Sequence, residues 1–347
     1  MKKLKNQSIK LWLSLLFLVI LTPIRAFSAS SVGINGLYYE LNSSSNTAKV
    51  VYDSSYSSLP VSVIIPESVE YNGATYSVTE IGQSAFSGCS KLESISIPGS
   101  VTKVGEVYYY SSSNNYNPNK YPSRYTSVFK GCTSLKKVRF EDGSDYVYLG
   151  STYHDGSSIA IAEVDIHGRG LFADCPLEEV YLGRKIGYKS YSSGYSFSNR
   201  PYYYGFSAFF NQTKLKKVTI GPEVTSLPDY LFYKCTAIKD VSFGESMTSL
   251  GSHAFDGCSS LTSAMLPNSV TYINSYSFND CTSIQSVSLG NASIIKSHAF
   301  CNNYRLKNLT MSPKLQTIED YGFYRTQTLE DISLPATLSS IGDYAFY

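Results

Sequence analysis

The chain has 347 residues, of which 29 are basic and 27 acidic, for a formal net charge of +2. Five of the basic side chains and none of the acidic ones fall in the first 30 residues, so the remainder carries 24 against 27 and a net charge of −3. With 16% charged residues and near-neutrality, the chain lacks the field that would draw nucleic acid or an anionic membrane, and neither is expected as a partner.

Lys2, Lys3, Lys5 and Lys10 precede an apolar run from Leu11 to Ile24, and the small residues Ala26, Ser28 and Ser30 follow. This order predicts a secretory signal peptide over 1–30, cleaved near 28–30, and hence a secreted or cell-surface protein. The run's 14 residues fall short of the roughly 20 that cross a bilayer. No transmembrane segment is expected in the mature chain, and no cysteine follows the cut to carry a lipid anchor.

Residues 31–77 read as an N-terminal β cap with a half-repeat. Gly33–Tyr52 (GINGLYYELNSSSNTAKVVY) has the alternation of a hairpin, Val61–Pro66 (VSVIIP) is half a repeat, and Asn72-Gly73 signals a tight hairpin turn.

Residues 78–347 repeat. Val78–Ser100 (VTEIGQSAFSGCSKLESISIPGS) and Met247–Ser269 (MTSLGSHAFDGCSSLTSAMLPNS) define a 23-residue template. It is apolar at positions 1, 4, 9, 15, 18 and 20 and small at 7 and 8, with Phe at 9, Cys at 12 and Pro or Gly at 21. Phe209, Phe232, Phe255, Phe278, Phe300, Phe323 and Phe346 hold position 9 at intervals of 23, 23, 23, 22, 23 and 23 residues. Phe86, Phe129 and Phe172 hold it upstream at wider spacing, giving nine copies and a truncated tenth.

Each copy carries L-x-x-I-x-I and a breaker, as in Leu92, Ile95, Ile97, Pro98 and Leu329, Ile332, Leu334, Pro335. Alternation at 18 and 20 predicts a half-buried strand. It closes at 21 because Pro lacks a ladder donor and Gly loosens the backbone. One copy buries about six apolar side chains at roughly 2–3 kcal/mol each, while ordering its residues costs on the order of 1.5 kcal/mol apiece. A copy therefore folds only by stacking on its neighbours. The predicted fold is a leucine-rich-repeat solenoid: a right-handed α/β-type superhelix, β-dominated, with a parallel β-sheet on the concave face, short strands and helical turns on the other, and an N-terminal β-hairpin cap. At a coil spacing of about 4.8 Å, the coils extend on the order of 45 Å.

The phrase I-G-x-x-A-F-x-G-C-x-x-L-x-x-I-x-I-P, present as Ile81 to Pro98, resembles the BspA-type leucine-rich repeat of bacterial and some protozoan surface proteins. Residues 31–77 are similar to the N-terminal segment of such proteins. The resemblance implies a cell-surface or secreted protein that adheres to host extracellular proteins or other cells, and it implies no catalytic residues. The residues themselves show no phosphate loop, nucleophile elbow, zinc-ligand spacing or paired carboxylates on a rigid frame. No enzyme, cofactor or metal is expected.

Insertions near 106–127, 141–166 and 187–205 depart from the template. The first and third interrupt positions 4 to 9, and the second does likewise if Val147 holds position 4. Their Tyr/Ser/Gly/Asn composition matches that of antibody loops, in which tyrosine offers large contact area at low entropic cost. Candidate ligand-binding residues are therefore Tyr108, Tyr109, Tyr110, Tyr116, Tyr121, Tyr125, Tyr188, Tyr191, Tyr195, Tyr202, Tyr203 and Tyr204. The alternative is hairpin extensions whose tyrosines pack on one another.

The outward strand positions 17 and 19 add Lys137, Arg139, Tyr181 and Lys217 as candidates. Around them Lys136, Arg184, Lys185, Lys214 and Lys216 complete a basic cluster suited to an acidic protein or a sulfated glycan, or else simply solvated. Cys89, Cys132, Cys175, Cys235, Cys258 and Cys281 share position 12, which reads as a ladder of buried free thiols whose parallel side chains do not suit disulfides. Cys301 is out of register and is the candidate exposed thiol. His253 and His298 share one slot and read as structural. His154 and His167, with Asp155, Glu163 and Asp165, mark the one place an acid–base or metal site would fit.

Together these readings predict a noncatalytic extracellular or cell-surface recognition or adhesion protein, binding host or cell-surface proteins, a host matrix protein among the candidates. The alternatives are a glycan-binding surface protein and a structural spacer for a missing C-terminal domain. The uncapped C-terminal coil also offers a route to self-association.

Overall fold

The computed structural model describes residues 31–107, 128–151, 171–172, 175–187, 208–330 and 332–347. Among these the L-x-x-I-x-I segments build one parallel ladder. Its strands are Ser62–Ile64, Ser94–Ile97, Lys137–Phe140, Glu179–Leu182, Lys217–Ile220 and Asp240–Ser242, hydrogen-bonded in that order. It resumes as Ser263–Met265, Ser286–Ser288 and Asn308–Thr310. The alternation turns Val138, Phe140, Val180, Leu182, Val218 and Ile220 inward, where all are buried, and turns positions 17 and 19 out.

Positions 1 to 4 form a second ladder, through Ala74–Ile81, Lys103–Val107, Val147–Ser151 and Ile186–Gly187. Further along it runs through Ser249–Leu250, Tyr272–Ile273, Ile294–Ile295, Thr317–Ile318 and Ser340–Ile341. Its N-terminal edge is antiparallel: Val32–Ile34 pairs with Leu37–Asn42, which pairs with Thr47–Val51. Thr47–Val51 then runs parallel to Ala74–Ile81. Ser68–Tyr71 folds back on the same strand through Asn72 and Gly73, whose φ values of 49° and 79° are those of a tight hairpin turn.

A column of aromatic rings fills the core. Tyr56 stacks on Phe86, and Phe86, Phe129, Phe172, Phe209, Phe232, Phe255, Phe278, Phe300, Phe323 and Phe346 follow at centroid separations between 4.9 and 5.8 Å. Each stacked pair adds about 0.5–1.5 kcal/mol to its burial. The 20-odd-residue period thus has a local cause: one ring per coil, in contact with the ring before and after.

The corner that carries this phenylalanine is a tight turn with two left-handed residues instead of a regular helical turn. Position 11 is left-handed at Gly88, Gly131 and Gly257, with φ of 80°, 75° and 77°, but also at Asn211, Lys234, Asp280, Asn302 and Arg325. Position 7, read from the sequence as small, holds Tyr or His in every copy from Tyr230 onward. Tyr230, His253, Tyr276, His298, Tyr321 and Tyr344 all have φ between 54° and 60°. A side chain there costs about 1–2 kcal/mol. Ring stacking between coils offsets that cost: consecutive centroids lie 4.5, 4.5, 4.5, 4.7 and 5.2 Å apart.

Position 12 is a donor slot. Cys132, Cys235, Cys258 and Cys281 point Sγ at the carbonyl oxygens of Phe86, Phe209, Phe232 and Phe255 at 3.1, 2.9, 3.3 and 3.3 Å. Where the copy lacks cysteine, Gln212 and Asn303 donate side-chain N–H to Phe172 and Phe278 at 2.8 and 3.1 Å. All seven cysteines are buried and none is in a disulfide, including Cys301, which corrects its reading as the exposed thiol. Burial pushes the Cys235 thiol up to about 12 and the Cys301 thiol up to about 11.

Candidate recognition surface

Strand pairing fixes where the insertions leave the solenoid. Lys103–Val107, Val147–Ser151 and Ile186–Gly187 are neighbours in one parallel ladder, with Leu149 opposite Val104 and Val147 opposite Ile186. Leu149, therefore, and not Val147, holds position 4. Phe129, Phe172 and Phe209 stack where the chain re-enters the core. The second interruption consequently falls between positions 4 and 9 like the first, which the sequence alone left undecided. All three leave from the same end of adjacent strands.

The twelve candidate tyrosines themselves, Tyr108, Tyr109, Tyr110, Tyr116, Tyr121, Tyr125, Tyr188, Tyr191, Tyr195, Tyr202, Tyr203 and Tyr204, lie outside the described residues. So do His154, His167, Asp155, Glu163 and Asp165. Among the described residues no group of three His, Cys, Asp or Glu side chains could hold a metal ion.

Lys137, Arg139, Tyr181 and Lys217 come together on three neighbouring strands. Lys137 and Lys217 flank Glu179 across the ladder, at 3.2 and 3.8 Å from its carboxylate. One position outward, the Arg139 guanidinium lies 3.7 Å over the Tyr181 ring and its Nε donates to Glu141 at 2.6 Å. The Tyr181 hydroxyl donates to Asp142 at 2.5 Å, and burial followed by this carboxylate raises the phenol's pKa. Lys136 pairs with Glu93 at 3.6 Å and Lys216 with Glu178 at 2.9 Å, which holds the Glu178 carboxyl below its usual range.

The expected basic cluster is therefore an alternation of charges. Glu178 and Glu179 stand in the coil between two lysine pairs, and glutamates that look incidental in sequence become cross-strand neighbours at one coil's spacing. Arg184 leaves the surface altogether. It is fully buried, donates to the carbonyls of Pro98 and Gly99 two coils back, and is pushed down to about 10 by loss of solvent.

His253 and His298 stand in the position 7 column. His253 Nδ1 lies 2.6 Å from Asp256, and His298 Nδ1 lies 3.0 Å from the Ser297 hydroxyl. Sequence reading missed this column because the two copies that set the template carry Ser84 and His253 there, and neither announces an aromatic slot.

The profile of the BspA type leucine rich repeat region matches residues 67–159, 202–325 and 293–347, in six copies. The chain belongs to the BspA-type leucine-rich-repeat family. Solved structures of similar architecture include a leucine-rich cell surface protein from Faecalibacterium prausnitzii, 19% identical over 92% of this chain and 86% of that one, with a TM-score of 0.37. Another is a leucine-rich repeat protein of T. pallidum, 17% identical over 87% and 92%, with a TM-score of 0.35. A third, from Bacteroides ovatus, is 17% identical over 90% of each chain, with a TM-score of 0.31. No match to a curated protein is found. As a BspA-type chain its regular slots are accounted for by packing and backbone hydrogen bonds. No helix among the described residues is long and apolar enough to cross a membrane.

Proposed function

We propose that this BspA-type protein is a noncatalytic extracellular recognition or adhesion protein. It holds a protein partner with the tyrosine-rich insertions and the strand face around Lys137, Arg139, Tyr181 and Lys217. The observation that carries this reading is the common exit of the three insertions from adjacent strands, since a rigid solenoid that launches three segments from one corner, two of them tyrosine-rich, concentrates adaptable contact area. A signal peptide over 1–30 would place that surface outside the cell.

A protein partner is favoured over a glycan along the half-buried ring column and at Tyr181. Sugar stacking needs open ring faces, whereas His253, Tyr276, His298 and Tyr321 have a ring neighbour on both sides and Arg139 covers one face of Tyr181. The test is capture of extracellular matrix proteins and, in parallel, a glycan array, each with the whole chain and with a variant lacking 106–127 and 187–205. Capture lost on deletion is the expected result. Undiminished capture by the deleted variant would overturn the role of the insertions, and silence in both screens would overturn recognition itself.

A further inference from the structure

The strand face carries an order of charges with a symmetry of its own. At position 17 four successive strands present Lys137, Glu179, Lys217 and Asp240, each the cross-strand partner of the next. The side chains of Lys137, Glu179 and Lys217 remain 64%, 39% and 55% accessible, and Asp240 is exposed. The order plus, minus, plus, minus becomes its own complement when reversed, which a uniformly basic patch does not.

We propose that this strand face docks on the same face of a second copy of the chain. The twofold axis runs parallel to the strands, between Glu179–Leu182 and Lys217–Ile220. Such an axis keeps position 17 opposite position 17 and reverses the order of coils, as an isologous contact requires. Lys137 then meets the partner's Asp240, and Glu179 meets the partner's Lys217. Position 19 adds no conflict, because Arg139 meets the partner's Ser242 and Tyr181 the partner's Thr219.

The competing registers are poorer on charge: an axis one strand to either side keeps half of the opposite-charge contacts and sets the remaining charges against serines, and the others bring like charges together. An axis shifted onto the Glu179 strand sets Glu179 against itself and Lys137 against Lys217. An axis along the solenoid sets every strand against its own copy, lysine on lysine. Like charges brought together are strongly unfavourable, while exposed opposite charges mainly select orientation and speed encounter. The contact is accordingly reversible and sensitive to salt. The inference rests on the recognition reading and names the occupant of the strand face.

The test is sedimentation equilibrium of the whole chain at low and high salt, with Lys137→Glu, Asp240→Lys and the double variant. The wild type should show a monomer–dimer equilibrium that weakens with salt. Each single reversal should weaken it at least about tenfold, since it sets two like pairs face to face. The double reversal restores opposite charges and should return to within about threefold of wild type. Lys137 and Asp240 stand three strands apart in one chain, so a merely structural role would not produce this rescue. Glu179→Lys with Lys217→Glu is a second rescuing pair should the first fold poorly, with melting curves as the check on folding.

A wild type that stays monomeric at low salt, single variants without effect, or doubles no better than the singles would each overturn the proposal. Matrix-protein capture is measured separately. A wild type that captures matrix protein but does not self-associate removes this inference alone, and one that self-associates without capture removes the recognition reading alone.

Discussion

The Sγ of Cys258 lies 3.3 Å from the carbonyl oxygen of Phe232, one coil earlier. That carbonyl also accepts the backbone N–H of Cys235 at 3.1 Å, so the thiol adds a second donor to a group already satisfied once. If position 12 is a donor slot, then Cys258→Asn, which copies Asn303, should be tolerated better than Cys258→Ala. The alanine variant should lose about 1–3 kcal/mol from the cavity and the missing donor together. Urea unfolding measures both, and an alanine variant as stable as the asparagine one would show that the slot asks only for volume.

Thiol accessibility follows from the same packing. Every cysteine is buried and outside any disulfide, and reagents attack the thiolate of an accessible sulfur. A disulfide-exchange reagent at mildly alkaline pH should label no cysteine of the folded chain and all seven after denaturation. Rapid labelling of Cys301 in the folded protein would contradict its placement.

The phenylalanine column predicts a gradient along the solenoid. Phe255 has a ring on each side, Phe232 at 5.3 Å and Phe278 at 5.4 Å. Phe255→Ala should cost about 3–5 kcal/mol, whereas Phe255→Leu should cost roughly half as much or less, because most of the buried volume is kept. Phe346 is partly buried, with Phe323 stacked on one side, and its alanine variant should be the milder of the two. Equal losses at the two positions would sink the idea that stacking from both sides sets the cost.

Arg184 makes a long-range tie from a fully buried position, reaching back to Pro98 and Gly99. Replacement by alanine removes the donor of two buried carbonyl contacts and leaves a void, a loss of about 2–5 kcal/mol as for other large-to-small core substitutions. Methionine, which keeps the volume without the charge, should recover part of it. Thermal melts of Arg184→Ala and Arg184→Met decide this, and a methionine variant less stable than alanine would contradict the volume argument.

His298 supplies a pH signature. Burial between Tyr276 and Tyr321 lowers its pKa from the ordinary value, with Asp320 opposing weakly. The folded chain therefore binds its proton less readily than the unfolded chain, and stability falls as pH drops through the ordinary histidine range near 6.5. His298→Tyr, which repeats the ring of its neighbours, should gain on the wild type as pH falls from about 7.5 to 5. Urea midpoints for the pair that differ by a constant amount across that range would remove His298 as the cause.

The insertions were legible as departures from the repeat, and the regular strand positions were legible as alternation. The register of the second insertion was not, because Val147 and Leu149 both suit an apolar slot and only pairing of Leu149 with Val104 separates them. Position 7 escaped for a related reason. A left-handed residue favours glycine or asparagine locally, so tyrosine and histidine there make sense only once the ring in the next coil is in place.

Sequence alone determined the solenoid, its period and its core, since those depend on which residue types recur at which interval, and one interval serves every coil. Tertiary structure decided what each coil meets in the next. The lysines of one strand face glutamates 42 residues away in the chain, Lys137 beside Glu179. An arginine counted as surface charge reaches two coils back into the core, and a cysteine slot turned out to be a hydrogen-bond slot. Each of these is a relation between coils, set by stacking distance and strand register, and the spacing within one repeat carries no record of it.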